Sequence, residues 1–167
     1  ASVDELRDAM DASFAEWMGS RYGALASLPS VSGPAIGHRV PEYLGRRLDS
    51  PAKKVALVVM DGMAMDQWVL LQHLMEQASK SFEFRRSSMF AWLPTLTSVA
   101  RQAMFAGALP RNLASLTSTQ GEPAAWSRFW VAQGLQSHAV AYLKAIRRID
   151  HLALMDEVLA DHRVRAL

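Results

Sequence analysis

Apolar residues recur along this chain in two rhythms, one helical and one of short unbroken runs. Leu6, Met10, Phe14 and Trp17 return every three to four positions and fall on one face of a predicted N-terminal helix. Ser2 stands at its start, and Glu5 three residues on completes an S-x-x-E capping box. Gly19 and Gly23 bracket its end. Residues 27 to 51 then lose the rhythm: Pro29, Gly33, Pro34, Gly37 and Pro41 among serines read as loop or linker. Within them Val40, Tyr43 and Leu44 predict a short helical turn docked on the next domain.

From Lys53 the unbroken runs begin. Residues 55–60, Val-Ala-Leu-Val-Val-Met, read as a buried strand ending in Asp61-Gly62. A helix is predicted from Met63 to Ser79, carried by Trp68, Leu70, Leu71, Leu74 and Met75. Phe82, Phe84 and Ser88 to Trp92 predict the next strand. Thr97 or Ser98 then caps a helix of about nine residues, stopped by Gly107 and Pro110. It is almost wholly small and apolar apart from Arg101 and Gln102, so it is expected to be buried. Glu122-Pro123 opens a helix to Gln133, with Trp126 and Trp130 on one face and Gly134 at its C-terminal end. Val140 to Leu143 predicts a short strand, Asp150 caps a helix to about Asp161, and Val164 to Leu167 reads as a strand left unfinished. Strands alternating with helices predict an α/β fold, a mainly parallel sheet flanked by helices. The expected organisation is residues 1–50 as helix and linker and residues 51–167 as the first part of an α/β domain.

Composition narrows the class. Half of the 167 residues are hydrophobic and 20% are charged, which is globular usage. The net charge of +2 is too small to argue for nucleic acid by itself. With no cysteine there is no disulfide and no Cys-based zinc site. No apolar run approaches the length of a membrane span, and the acidic N-terminus lacks a signal-peptide pattern. A cytoplasmic protein without membrane contact is expected.

Two positions carry candidate chemistry. Open α/β sheets bind ligands at the carboxyl ends of their strands, where Asp61 is expected. A carboxylate straight after six apolar positions is costly to bury unpaired, so it reads as a metal ligand, or else as a cap for the next helix or a polar end to the strand. The neighbouring sequence excludes three other site types. There is no G-x-x-x-x-G-K-[ST] for a P-loop ATPase, residue 63 is Met where a haloacid-dehalogenase-like site wants Asp, and no acidic pair suits a receiver domain. Thr97 is the second position. A hydroxyl at a helix N-terminus sits among backbone N–H groups and the positive dipole end, which favour a phosphate and a developing alkoxide. A metal held by Asp61 would activate it further. Its ordinary reading is an N-cap.

These residues resemble a known family. Lys54 to Gly62, followed by Pro94-Thr95-Leu96-Thr97-Ser98-Val99-Ala100-Arg101 and then Gly107-Ala108-Leu109-Pro110, is similar to the PglZ domain of the alkaline phosphatase superfamily. Tyr22, Leu25 and Leu28-Pro29, and the run His38 to Tyr43, resemble the segments preceding that domain, so the likeness covers roughly residues 14–167. The resemblance implies that Asp61 ligates one of two divalent metals, zinc or manganese. It implies that Thr97 is both a ligand to that metal and the nucleophile, passing through a phosphothreonine. It further implies a phosphatase or phosphodiesterase of a BREX/Pgl-type phage-defence system, with phosphorylated substrates (nucleic acid among the candidates) and other defence subunits as partners. The family's remaining Asp and His ligands are expected beyond Leu167. This chain alone is therefore expected to be an inactive fragment that holds no metal stably. Asp150, His151, Asp156, Asp161 and His162 read as capping and surface residues.

The alternative is a non-catalytic interaction module of a multi-subunit defence complex. Arg85-Arg86, Lys144 with Arg147-Arg148, and Asp66 read as solvated charge, and the tryptophans as core. Arg101 is open between a substrate phosphate and an exposed helix face.

Overall fold

In the computed structural model the described residues are 2–29, 33–81, 83–113, 117–146 and 150–167. They form six α-helices: α1 (Val3–Arg21), α2 (Val40–Gly45), α3 (Met65–Ala78), α4 (Thr97–Ala106), α5 (Glu122–Ala132) and α6 (Asp150–Ala160). Short 3₁₀ turns at Tyr22–Ser27, Gly37–Arg39, Pro110–Asn112 and Ser137–Ala139 connect them. The chain divides into two compact units, one of residues 1–46 with 89–125, the other of residues 47–88 with 126–167. Phe82, Arg147, Arg148 and the side chain of Asp150 lie outside the described part of the chain.

In the first unit, α1 begins on the expected capping box. The Ser2 Oγ accepts from the Glu5 N–H at 3.2 Å, and the Glu5 carboxylate accepts from the Ser2 N–H at 2.7 Å. None of its residues is buried; Leu6, Met10 and Phe14 stay exposed, and Trp17 stacks on Phe90 at 4.9 Å. The core gathers around α4 instead. Val99, Ala103 and Phe105 are buried there, and α4 packs on Gly37–Arg39 and on α2. The predicted helical turn at Val40, Tyr43 and Leu44 is α2.

In the second unit, Trp126 and Trp130 of α5 meet edge to face at 5.3 Å, and both are buried. The Trp126 indole N–H donates to the Ala141 carbonyl at 3.0 Å. Lys54 donates to the carbonyls of Leu159 and Asp161 at 3.0 and 2.8 Å, which closes the C-terminal end of α6. Arg165 donates to the Ser50 and Lys53 carbonyls.

The expected α/β fold with a mainly parallel sheet is corrected: among the described residues there is no sheet. Three isolated parallel bridges stand in its place, Ile36 with Phe90, Val55 with Ala166, and Val140 with Ala166. The apolar run 55–60 is extended, but its pairing stops early. Val55 and Leu57 N–H donate to the Arg165 and Leu167 carbonyls, each at 2.9 Å, and Leu167 N–H donates back to Val55. Among the described residues no ladder continues through Val58 and Met60, which are 70% and 45% exposed. A parallel strand must be hydrogen-bonded along its length and covered on both faces. This segment has one short partner and an open face. Among the described residues the runs at 84–92 and 140–143 likewise give single bridge residues, Phe90 and Val140, rather than strands.

Candidate functional site

Asp61 and Gly62 form the turn between the extended run and α3. Gly62 has φ +73°, a left-handed conformation that a side chain would strain, so the turn needs this glycine. Asp61 is exposed. It does not cap α3. The helix begins at Met65 with Ala64 as N-cap, and the Gln67 side chain reaches back to accept the Ala64 N–H at 3.0 Å.

Thr97 is reached through a pinned segment. The Tyr22 hydroxyl donates to the Ala91 carbonyl at 2.5 Å and accepts from the Leu93 N–H at 3.0 Å. The Leu93–Pro94 peptide is cis, and the Leu96 N–H donates to the Pro94 carbonyl at 2.7 Å. Leu96, not Thr97 or Ser98, is the N-cap of α4, so the expected hydroxyl cap is corrected. Leu96 already has the extended backbone of a cap, and its carbonyl accepts the Ala100 N–H at 2.9 Å. Thr97 is thus the first helical residue and is exposed. The first turn of a helix has amides without intrahelical acceptors, and a leucine cap supplies none. At the other end Gly107 takes φ +59°. Its N–H donates to the Met104 carbonyl and the Ala108 N–H to the Ala103 carbonyl, each at 3.2 Å, a Schellman closure.

Arg101, one turn past Thr97, is neither free for a phosphate nor on a solvated face. Its Nε and Nη2 donate to the two carboxylate oxygens of Glu122 at 2.8 and 2.9 Å, and its guanidinium lies 5.5 Å from the Phe105 ring centre. Glu122 is fully buried, at 0% exposure. The pattern held a signal for it: Glu122, Trp126 and Trp130 repeat at four-residue spacing. A carboxylate on that apolar face must find a cation, and Arg101 is the cation in an otherwise apolar helix.

His38, which has no metal partner in the sequence, is buried with its ring 5.3 Å from Trp92. Its Nδ1 has no hydrogen-bond partner among the described residues. Burial, and then the charge of Arg39, holds its pKa below the usual histidine range, against a smaller upward pull from Glu42.

The carboxylates and histidines do not converge on a metal position. Among the described residues no group of three His, Cys, Asp or Glu side chains could hold an ion. Asp61 belongs to the second unit and Thr97 to the first. Asp161 is held by Arg163 at 2.8 Å, which keeps its carboxyl far below the usual range. The His151 Nδ1 lies 3.1 Å from the Ala145 carbonyl, and His73 pairs with Gln77. Arg85 pairs with Glu83 on the surface. The donor set of the described residues therefore does not fit a two-metal centre by itself. Among the described residues no helix is long and apolar enough to cross a membrane.

No curated protein and no solved structure matches the chain. Among known families, residues 42–164 match the BREX system PglZ alkaline phosphatase-like domain. The match takes in most of the chain, including the Asp61 turn, the Thr97 helix and the Arg101–Glu122 pair. The chain accordingly belongs to the PglZ family, the alkaline phosphatase-like domain of BREX defence systems.

Proposed function

We propose that this chain carries the nucleophile of a phosphoryl-transfer hydrolase acting on phosphomonoesters or phosphodiesters within a BREX system. Thr97 is the nucleophile: its Oγ1 forms the new bond to phosphorus as the leaving oxygen departs, giving a phosphothreonine that water then hydrolyses. The first-turn amides and positive dipole end of α4 stabilise the transferred phosphate. Asp61 is the chain's carboxylate for a divalent cation, zinc or manganese. Such an ion would supply charge neutralisation at phosphorus. Because the described residues do not complete its coordination, no step is derived through it.

One observation carries this reading. The helix-cap explanation open to both Asp61 and Thr97 does not hold, since Ala64 and Leu96 hold those positions, although Asp61 also stands as a polar end to the run 55–60. Both residues are exposed and lie within the matched region.

The test is hydrolysis of aryl phosphates and bis-aryl phosphodiesters with zinc or manganese by the natural protein that carries this sequence. Turnover is expected from the natural protein, with a loss of at least about a thousandfold on Thr97→Ala, the scale of losing an activated nucleophile. A folded, metal-loaded natural protein without turnover would refute the enzyme reading. The second reading, a non-catalytic interaction module, is favoured by the exposed apolar face of α1, Leu6, Met10 and Phe14.

A further inference from the structure

We infer that the buried Arg101–Glu122 pair is a positioning device that sets the orientation of α4 and hence the direction in which Thr97 is presented. The inference rests on the reading of Thr97 as the nucleophile. Four residues of helix advance the azimuth by about 40° beyond a full turn, so Thr97 and Arg101 share a face. Whatever fixes Arg101 therefore fixes Thr97.

The apolar contacts of α4 bury it without fixing a direction. Val99, Ala103 and Phe105 are buried, and the helix packs on Gly37–Arg39 and on α2. Gln102 is buried with its Nε2 unpartnered among the described residues, so it anchors nothing through that nitrogen. Apolar burial is non-directional, whereas a guanidinium–carboxylate fork has one good geometry. Both prongs of that fork are engaged here, at 2.8 and 2.9 Å, and the Arg101 side chain is only 18% exposed.

Stability does not account for the pair. A buried ion pair loses so much hydration that a well-packed apolar pair of similar volume is often as stable or more so. What the apolar pair lacks is direction. A site of this kind tolerates displacement of only about 10–20° in its reactive groups, and the fork holds α4 within that range at the turn next to Thr97.

The test is the orientation of α4 in the whole chain, read from residual dipolar couplings of its amides relative to those of residues 37–45. Three proteins are compared: wild type, the double variant Arg101→Met with Glu122→Leu, and Arg101→Lys, which keeps the charge but loses the fork. The double variant is expected to melt within a few degrees of wild type or above it. Its α4 couplings are expected to report a rotation beyond about 10° or averaging over several orientations. Arg101→Lys is expected to show the same change in smaller measure. If the double variant does not fold, Arg101→Lys decides. Wild-type couplings in α4 for every variant that folds would overturn the inference and leave the pair a structural contact. No readout uses turnover, so an inactive Thr97 would sink the proposed function without touching this result, and the reverse also holds.

Discussion

Trp126 and Trp130 are the same residue type, one helical turn apart, equally buried at 1% and 0% exposure. Replacing each with Phe removes the same pyrrole fragment, yet the outcomes are expected to differ. At Trp126 the truncation also removes the hydrogen bond to the Ala141 carbonyl, worth about 1 kcal/mol net. At Trp130 the indole N–H has no partner among the described residues. A buried unsatisfied donor costs about 1–3 kcal/mol, and Phe relieves it. The loss of packed ring is common to both and drops out of the comparison. Trp126→Phe is therefore expected to be less stable than Trp130→Phe by about 2–4 kcal/mol. For a chain of 167 residues each kcal/mol moves Tm by roughly 2–4 °C, so a gap of roughly 4–16 °C should separate the two variants. Thermal melts followed by circular dichroism at 222 nm measure it without relying on the mutated fluorophores. Equal melting temperatures, or a lower one for Trp130→Phe, would refute the assignment of the two indole N–H groups.

Three more outcomes are expected on the same physical grounds. Burial, and then the charge of Arg39, lowers the His38 pKa in the fold, while the unfolded chain titrates near 6.5. Below that pH the unfolded state binds the extra proton, so stability should fall as pH drops from 6.5 toward the folded value and be level above it. Urea midpoints between pH 7.5 and 5.5 should show this slope, and His38→Phe should flatten it; an unchanged slope would discount the buried imidazole. Lys54→Met removes the two donors at the end of α6 and should cost about 0.5–1 kcal/mol, visible as faster amide exchange over residues 157–161. Gly107→Ala forces a side chain into φ +59° and should cost about 1 kcal/mol, a drop in Tm of roughly 2–4 °C; an unchanged Tm would mean that α4 does not need this closure.

The helices were legible because their signals are local. The Ser2–Glu5 box, the 3.6-residue rhythms and the closing glycines act within a few residues of chain, so α1, α3, α4, α5 and α6 fall close to their expected ranges. The resemblance carried by the segments around Asp61 and from Pro94 to Pro110 was legible for the same reason, and the match agrees on the family. What the sequence could not determine is anything that needs a second segment. An apolar run such as 55–60 becomes a strand only if another backbone lies along all of it; here pairing reaches Leu57 and stops, so the expected sheet is three bridges. The N-cap of α4 passed to Leu96 because backbone conformation, not side-chain preference, fixed where the helix begins. The partner of Arg101 lies 21 residues away in another helix, and only the folded chain brings Glu122 under it. Local free energy decides where a helix starts and ends, whereas burial and pairing depend on what else arrives at the same place. That is why the tertiary structure alone decided that α4 is held by a buried ion pair.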